Sequence, residues 1–286
     1  MCVAFPALSA LAEGYDTTMK NKILITGATD GIGLETAKRL HSEGHTLLLH
    51  GRNPEKLAAA ERQLTDGNGA GLIYTYMADL ARLAEVRQLA ETLSQAHDHL
   101  DVIINNAGVL RAPDTVTRDG LDVRFAVNTV APYLLTQSLL PLLAPAARVV
   151  NLSSAAQSPV ELDALRGKQQ FMDDMAAYAQ SKLALTMWTK AMADAGNTGD
   201  RVFVAVNPGS LLGSKMVKEG FGIAGKSLSI GADVLARAAL SEEFANASGQ
   251  YFDNDEGRFG SPHADALNAQ KGQAVIAVIE ELITEL

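Results

Sequence analysis

A tyrosine and a lysine four positions apart are the residues of this chain that most directly suggest chemistry. Tyr178 and Lys182 lie in a segment from Phe171 to Gly196 that has no proline and no glycine before its end, so on a helix they share one face. A free tyrosine has a pKa of about 10. A lysine ammonium at ~4 Å, in an effective dielectric of ~20, would favour the phenolate by about 4 kcal/mol before desolvation is subtracted. The pair therefore predicts a tyrosine that exchanges a proton near neutral pH.

The elements around this pair decide its meaning, because surface helices also produce tyrosine–lysine pairs by chance. Short apolar, β-branched runs alternate with helical stretches along the chain, a pattern typical of a parallel sheet covered on both faces. The sequence predicts an α/β fold: a single doubly wound Rossmann-type domain over residues 19–286, with a mostly parallel sheet and helices on both faces. The predicted strands are Lys22–Thr26, Thr46–His50, Leu72–Met77, Val102–Asn105, Arg148–Leu152 and Val202–Val206. The predicted helices are Ile32–Ser42, Pro54–Leu64, Leu83–Ala96, Leu121–Leu143, Asp173–Ala193 and Ile230–Leu240.

Composition excludes several classes of function. The 286 residues carry a formal charge of -9, which argues against nucleic acid or an anionic membrane as partner. The single cysteine, Cys2, fits a reducing compartment, and we expect a cytoplasmic protein. The sequence has no apolar run long enough for a membrane span. Residues 1–18 precede a second methionine, Met19, and are predicted to be a poorly ordered extension.

A glycine-rich turn follows the first predicted strand and opens the first helix. Glycines at these positions permit a tight turn and a close approach to a pyrophosphate, whose charge the helix N-terminus favours. A tight turn without a ligand has the same pattern, but the strand before it and the helix after it favour a dinucleotide. The predicted cofactor residues of this turn are Gly27, Thr29, Asp30, Gly31, Ile32 and Gly33.

The end of the second strand favours NADP(H), with NAD(H) as the alternative. A dinucleotide without the 2′-phosphate usually meets an acidic residue here, whereas the 2′-phosphate is met by an arginine. Gly51 stands where the acid is expected, and Arg52 and Asn53 follow it. Asp30 in the glycine turn opposes this interpretation because a carboxylate near the ribose would repel a phosphate. A solvated surface arginine is the alternative for Arg52.

The order of these motifs resembles the short-chain dehydrogenase/reductase family, in its shorter, non-extended branch. The resemblance covers about residues 20–255. It rests on the glycine turn Thr26–Gly33, Asp79-Leu80, Asn105-Asn-Ala-Gly108, Asn128, Ser153-Ser154, Tyr178-x-x-x-Lys182 and Asn207-Pro208-Gly209. Each motif is weak alone, and their order on alternating strands and helices is what makes the match specific.

The resemblance implies roles for these residues. Tyr178 would pass a proton, Ser154 would orient the substrate oxygen with Ser153 as a structural neighbour, Lys182 would also hold the nicotinamide ribose, and Asn128 would hold a water beside Lys182. The other implied cofactor contacts are Asp79, Leu80, Asn105, Ala107, Gly108, Tyr178, Pro208, Gly209 and Ser214. Taken alone, Asp79 would be read as a helix cap, Gly108 as a turn glycine and Asn128 as a helix residue that bonds a neighbouring carbonyl.

Two segments further suggest how a substrate would be held. Between Ser154 and Tyr178 lie 23 residues, and the extra stretch Glu161–Asp174 is amphipathic. Such an insertion resembles the retinol-dehydrogenase-like members, whose substrates tend to be apolar. Residues 210–229, rich in glycine, are predicted to form a mobile lid. Trp188 is predicted to lie in the core or in a subunit contact.

The predicted activity is NADP(H)-dependent hydride transfer between the nicotinamide and a small-molecule carbonyl or alcohol, without a metal. Two alternatives stay open: a dinucleotide-binding redox sensor without turnover, and an epimerase or dehydratase that uses the same tyrosine and lysine. A sensor would usually lack Tyr178 or Lys182, and extended epimerases carry a longer C-terminal substrate domain. The resemblance allows a homodimer or a homotetramer, while inserted members are sometimes monomers.

Overall fold

The computed structural model describes residues 20–67, 69–196 and 198–285 of the chain, and the predicted extension at residues 1–18 lies outside them. Within that part of the chain, one sheet of eight strands has the order β3-β2-β1-β4-β5-β6-β7-β8. The strands are β1 Lys22–Ile25, β2 Thr46–Gly51, β3 Ile73–Met77, β4 Leu100–Asn105, β5 Leu143–Leu152, β6 Val202–Asn207, β7 Tyr251–Asp253 and β8 Arg258–Gly260. All neighbours pair in parallel except β7 and β8, which are antiparallel.

The helices cover both faces of the sheet, as predicted. They are α1 Gly31–Ser42, α2 Pro54–Thr65, α3 Leu83–Ala96, α4 Val123–Phe125, α5 Ala131–Leu139, α6 Leu162–Leu165, α7 Asp174–Asp194, α8 Lys215–Phe221, α9 Leu228–Leu240 and α10 Ala269–Thr284. Alternate strand residues enter different cores, because successive side chains of a strand point to opposite faces. Leu24 and Ile103 pack with α3, α5, α7 and α10, whereas Ile23 and Ile104 pack with α1, α2 and α9. The doubly wound parallel fold is therefore confirmed.

The single helix predicted over Leu121–Leu143 is wrong. The chain forms α4, then a π-helical turn over Ala126–Val130, then α5 and a 3-10 turn over Leu140–Leu142. Pro132 is one reason, because proline has no N–H and cannot donate to the carbonyl four residues earlier, that of Asn128. Leu143 already belongs to β5, which is five residues longer at its start than the predicted strand Arg148–Leu152.

The C-terminal third also differs from the prediction. The six predicted strands end at Val206, but β7 and β8 extend the sheet before α10 begins. Strands of three residues are too short to show an alternating pattern in sequence. No helix among the described residues is both long enough and apolar enough to cross a bilayer.

Candidate active site

The glycine turn between β1 and α1 is closed by backbone contacts. Gly27 and Gly31 have φ values of 66° and 56°, where a side chain is strained. A Cβ at Gly33 would lie 2.3 Å from the Gly27 carbonyl oxygen, so only glycine fits this packing. The Asp30 carboxylate accepts from the Gly31 N–H at 2.7 Å and caps α1. The turn therefore presents the N-terminus of α1, a site that favours anions.

The Asn-Asn-Ala-Gly segment after β4 packs against this turn. The Asn106 amide donates to the carbonyl oxygens of Thr26 and Gly27 at 2.9 and 3.0 Å, and the Ala107 N–H donates to the Thr26 hydroxyl. Asn106 was not among the predicted site residues, although it belongs to the same motif. The segment and the glycine turn thus form one continuous floor.

Asn105 does not reach that floor. Its amide donates to Asn151 at 2.8 Å and to Thr136 at 3.2 Å, and its side chain is buried. Its side chain therefore forms a polar link between β4, β5 and α5. Leu80 is likewise a core residue. Asp79 accepts from the Ala81 N–H at 3.1 Å, which shapes the turn before α3.

His50, at the end of β2, hydrogen-bonds the glycine turn and was not among the predicted site residues. Its Nδ1 accepts from the Gly27 N–H at 3.3 Å, and its Nε2 bonds the Ala78 carbonyl oxygen at 3.0 Å. Burial lowers the pKa of His50 to about 4, so the ring is neutral in neutral solution. A neutral ring can serve both bonds, with Nε2 as the donor and Nδ1 as the acceptor.

The end of β2 has a glycine, Gly51, where an acidic residue would select NAD(H). A Cβ at Gly51 would lie 2.5 Å from the Thr29 methyl group, so an acidic residue there would require the Thr29 side chain to shift. Arg52 is exposed next to it, and the Asn53 side chain caps α2 by accepting from the Lys56 N–H at 2.8 Å. This end of the sheet therefore presents a cation where an acid was expected.

The carboxylate of Asp30 has a cation beside it as well. The Lys56 Nζ lies 3.6 Å from the Asp30 Oδ2, and the other Asp30 oxygen holds the α1 cap. Its negative charge is thus partly offset by Lys56 and by the positive end of the helix. Lys56, one turn into α2, was not predicted as a site residue.

Tyr178 and Lys182 lie one turn apart on α7, as their spacing predicts. The Lys182 Nζ lies 5.7 Å from the centre of the Tyr178 ring and donates to the Leu152 carbonyl oxygen at 2.7 Å. Burial lowers the pKa of Lys182 to about 8, because a buried ammonium loses its hydration. The lysine is therefore anchored to the end of β5.

The prediction of a lowered tyrosine pKa is wrong. Burial raises the pKa of Tyr178 above its ordinary value, and only the hydrogen bond with Ser154 opposes the rise. Desolvation of the phenolate is the larger of the two effects, so the net shift of the Tyr178 pKa is upward. The Tyr178 phenol consequently keeps its proton over the whole neutral range.

The two serines after β5 differ in their surroundings. Ser153 is buried and its hydroxyl lies 2.7 Å from the Thr186 hydroxyl, whereas Ser154 is half-exposed. The Ser154 carbonyl oxygen accepts from the Tyr251 hydroxyl at 3.1 Å and from the Gln157 amide at 3.0 Å. Neither residue was predicted as a site residue. Tyr251 lies 97 positions from Ser154, in β7, so its contact cannot be read from the sequence.

Asn128 lies in the π-helical turn, and its side-chain amide makes three hydrogen bonds. Its Oδ1 accepts from the Val109 N–H at 2.8 Å, and its Nδ2 donates to the Val109 carbonyl oxygen and to the Ser181 hydroxyl, both at 2.9 Å. The carbonyl that this side chain bonds belongs to another segment, not to a neighbouring residue. Asn128 thus ties the floor segment to α7.

Gly108 lies where these groups meet. A Cβ at this position would be 3.5 Å from both the Lys182 Nζ and the Asn128 Oδ1, and 3.8 Å from the Met216 methyl group. Glycine here leaves open space between the catalytic candidates and α8. Within residues 210–229, predicted as a mobile lid, the chain forms α8 over Lys215–Phe221.

The segment after β6 reaches back to the cofactor turn. Ser214 caps α8, and its Cβ lies 3.6 Å from the position that a Cβ at Gly31 would take. Pro208 is buried, and the Gly209 N–H donates to the Asn207 side chain at 3.2 Å. Ser214 and Gly31 are therefore neighbours across the cleft.

The insertion before α7 is only partly exposed. Leu165 of α6 is fully buried in the core and Phe171 packs on Phe125, but Met172 is fully exposed. A cavity of about 290 Å³ lies between this insertion, α8 and the segment after Gly108. Its lining includes Leu110, Arg111, Met172, Asp174, Met175 and Gly220.

Comparisons with known proteins agree with this geometry. Residues 21–223 match the family model of the short chain dehydrogenases. Human retinol dehydrogenase 13 is 31% identical over 261 residues, covering 85% of this chain and 79% of the relative. The chain belongs to the short-chain dehydrogenase/reductase family. Human retinol dehydrogenase 11 is 34% identical over 245 residues, covering 80% of this chain and 76% of the relative, so the predicted likeness to retinol-dehydrogenase-like members is confirmed.

Solved structures show the same fold within this family. An uncharacterized protein from Mycobacterium paratuberculosis superposes with a TM-score of 0.75 at 27% identity, covering 92% of each chain. A short-chain dehydrogenase from Shigella flexneri, solved in complex with NADP, gives a TM-score of 0.64 at 27% identity, covering 82% of this chain and 96% of that one. The protein is an oxidoreductase of this family, and a nicotinamide cofactor fits its fold.

Proposed function

We propose that this short-chain dehydrogenase/reductase uses NADP(H) to reduce a carbonyl group on an apolar small molecule, or to oxidise the corresponding alcohol. The observation that carries the proposal is the meeting of Tyr178, Lys182 and Ser154 beside Gly108, at the carboxyl ends of β4 and β5. Ligands in open α/β sheets bind outside these strand ends.

The residues at the glycine turn fit a dinucleotide. The α1 N-terminus faces an anion with backbone N–H groups, and the floor formed by Asn106 and Ala107 keeps the turn in place. Arg52 and Lys56 place two cations at the adenosine end, and Gly51 offers no acidic side chain to select NAD(H). These contacts favour NADP(H).

Proton transfer is the task of Tyr178. The bound nicotinamide supplies or accepts the hydride. With its pKa raised by burial, the phenol holds its proton and can give it to a carbonyl oxygen, which suits reduction. Ser154 hydrogen-bonds Tyr178 and can orient the same oxygen. The Lys182 ammonium lies beside the Tyr178 ring, and Lys182 loses its charge as the pH rises through about 8.

The lining of the cleft supports an apolar substrate. Met216 lies over Gly108, and the nearby cavity is bordered by Leu110, Met172 and Met175. Methionine side chains adapt to irregular apolar shapes, so this border can accept bulky substrates. The similarity to retinol dehydrogenases points to the same class of alcohol or aldehyde.

Replacement of Tyr178 by phenylalanine tests the proposal. We expect Tyr178→Phe to lower kcat for aldehyde and ketone reduction by about 10²- to 10⁴-fold, the usual size of general acid catalysis. NADPH affinity, measured by fluorescence titration, should stay within about twofold because the phenol oxygen is small beside the whole cofactor contact.

Tyr74→Phe is the matched control, since Tyr74 is an exposed residue of the edge strand β3. It should reduce the same panel at the wild-type rate. Turnover by Tyr178→Phe close to that of Tyr74→Phe would overturn the assignment. Tight NADPH binding by the wild type with no substrate consumed would instead favour a redox sensor.

A further inference from the structure

An arginine is completely buried at the start of the helical segment that carries Asn128. Arg124 has no exposed surface, and its two terminal nitrogens donate to Asp174 at 2.5 Å and to Asp122 at 2.6 Å. Its Nε has no hydrogen-bond partner in the structure. A buried charge needs its partners, because removing one leaves the other uncompensated.

The position of this ion pair relates it to the proposed site. Arg124 lies four residues before Asn128, and Asp174 lies four residues before Tyr178. The Asp122 carboxylate also accepts from the Arg124 N–H at 2.8 Å, so it belongs to the same short segment. The only link that crosses from this segment to α7 within the ion pair is therefore the one to Asp174.

The same two helical segments meet again at the next turn. The Asn128 Nδ2 and the Thr129 hydroxyl donate to the hydroxyl and the carbonyl oxygen of Ser181, at 2.9 and 2.8 Å. Ser181 immediately precedes Lys182. The ion pair and the Ser181 contacts are thus successive links between the segment of Asn128 and the helix of Tyr178.

The π-helical turn lies next to the first of these links, the ion pair of Arg124 and Asp174. It begins two residues after Arg124 and contains Asn128 and Thr129, and its wide turn depends on surrounding contacts rather than on regular i to i−4 hydrogen bonds. On the far side of the turn the segments touch through Tyr133 and Trp188, whose ring centres lie 5.5 Å apart. The turn is therefore held between two links, one ionic and one aromatic.

Asp174 has a second cationic neighbour, from the cleft side. The Arg111 Nε lies 3.6 Å from the Asp174 carboxylate, and the Arg111 NH1 donates to the Glu219 carbonyl oxygen of α8 at 2.9 Å. One carboxylate thus touches the segment of Asn128 through Arg124 and α8 through Arg111. It is also the first residue of α7, where the helix end favours a negative charge.

We propose that Asp174 is a positioning residue of this enzyme, which sets Tyr178 and Lys182 against Asn128 through its bond to Arg124. The inference rests on the proposed function, because positioning matters only if these residues act together. Asp174 does not touch the reacting atoms in this role. Its effect is on the spacing of the groups that do.

The test is Asp174→Asn, measured beside Asp174→Glu and Asp163→Asn. We expect Asp174→Asn to lower kcat by about 10- to 100-fold, since a displacement of about 1 Å at a catalytic group can cost about 10²-fold. NADPH affinity should stay within about twofold. The alkaline limb of kcat should move to higher pH, because a loosened α7 would return water to Lys182. Asp174→Glu keeps the charge and should recover at least half of the lost activity.

Asp163→Asn is the control, because it removes a carboxylate of the same insertion that is exposed and pairs with Arg166 at 3.7 Å. A structural role alone would lower the melting temperature of Asp174→Asn and leave its kcat and pH profile equal to those of Asp163→Asn. That result overturns the proposal. If Asp174→Asn does not fold, Arg124→Lys keeps the charge and shortens the reach, and wild-type kcat in that variant overturns it equally.

Hydrogen exchange separates this inference from the proposed function. In NADPH-bound Asp174→Asn, exchange over residues 123–130 and 175–182 should rise, while Asp163→Asn should match the wild type. An inactive wild type with this exchange pattern would reject the proposed activity and keep the link between the helices. Equal exchange in both variants would reject the link itself.

Discussion

The cofactor half and the substrate half of the cleft are built by different means. In the cofactor half, glycines bring backbone segments together: a Cβ at Gly27 or Gly33 would lie 2.9 or 2.3 Å from the neighbouring backbone. In the substrate half, side chains far apart in sequence make the links, such as Arg124 with Asp174 and Tyr251 with Ser154. Backbone contacts tolerate almost no change of residue, whereas side-chain networks can be rebuilt.

The largest expected effect is on the backbone contacts of the cofactor half. Gly33→Ala places a methyl group 2.3 Å from the Gly27 carbonyl oxygen and 2.4 Å from the Asn106 amide. Overpacking of this kind costs about 1–3 kcal/mol, and the glycine turn must move to relieve it. We expect NADPH affinity to fall by about 100-fold in fluorescence titration.

Gly220→Ala makes the same substitution in the substrate half. There the new methyl group meets only the Leu110 side chain at 2.9 Å, and a leucine methyl can rotate away. NADPH affinity should stay within about twofold of the wild type. If both alanine variants bind NADPH equally well, the contrast between the two halves is wrong.

A smaller effect is expected from the charge at the adenosine end. Arg52→Gln should weaken NADPH binding by about tenfold and leave NADH binding unchanged, since a hydrogen bond to a charged group is worth about 1.5–3 kcal/mol and this one is exposed to solvent. Michaelis constants for the two cofactors give the ratio directly. Arg62→Gln, on the exposed far end of α2, should leave that ratio unaltered. A constant ratio in Arg52→Gln would remove the main support for NADP(H).

The same contrast explains what could be predicted from the sequence. Strands β1 to β4 and helices α1 to α3 agree with the predicted ranges within about two residues at either end, because apolar runs and capping residues mark them. The glycine turn was readable for the same reason: glycines between a strand and a helix indicate close backbone packing. These signals are local.

The signals that failed are not local. The π-helical turn at Ala126–Val130 and the short strands β7 and β8 have no periodic pattern of their own. Tyr178 was found from its spacing to Lys182, but the direction of its pKa shift depends on burial, which many distant residues create. The motif of Asn105 likewise does not show that its side chain bonds Asn151.

The smallest expected effect on cofactor affinity lies beneath the glycine turn, at His50. Its pKa is about 4 in the folded protein and about 6.5 in an unfolded chain, so below pH 6.5 the unfolded state takes up the proton first. The stability that comes from burying the neutral ring is complete above pH 6.5 and is lost as the pH falls toward 4. The free energy of unfolding should therefore fall by up to about 1.4 kcal/mol per pH unit in that window.

His50→Gln keeps a donor and an acceptor at this position but does not titrate. The free energy of unfolding in urea, measured between pH 6.5 and 5, should change less steeply with pH in His50→Gln than in the wild type. NADPH affinity should fall only severalfold, because Asn106 still holds the Gly27 carbonyl when the bond from Gly27 to the ring is lost. Parallel slopes for the wild type and His50→Gln would mean that His50 is hydrated or protonated in the folded protein. In that case the glycine contacts and the bonds from Asn106 would hold the cofactor half without a contribution from the neutral His50 ring.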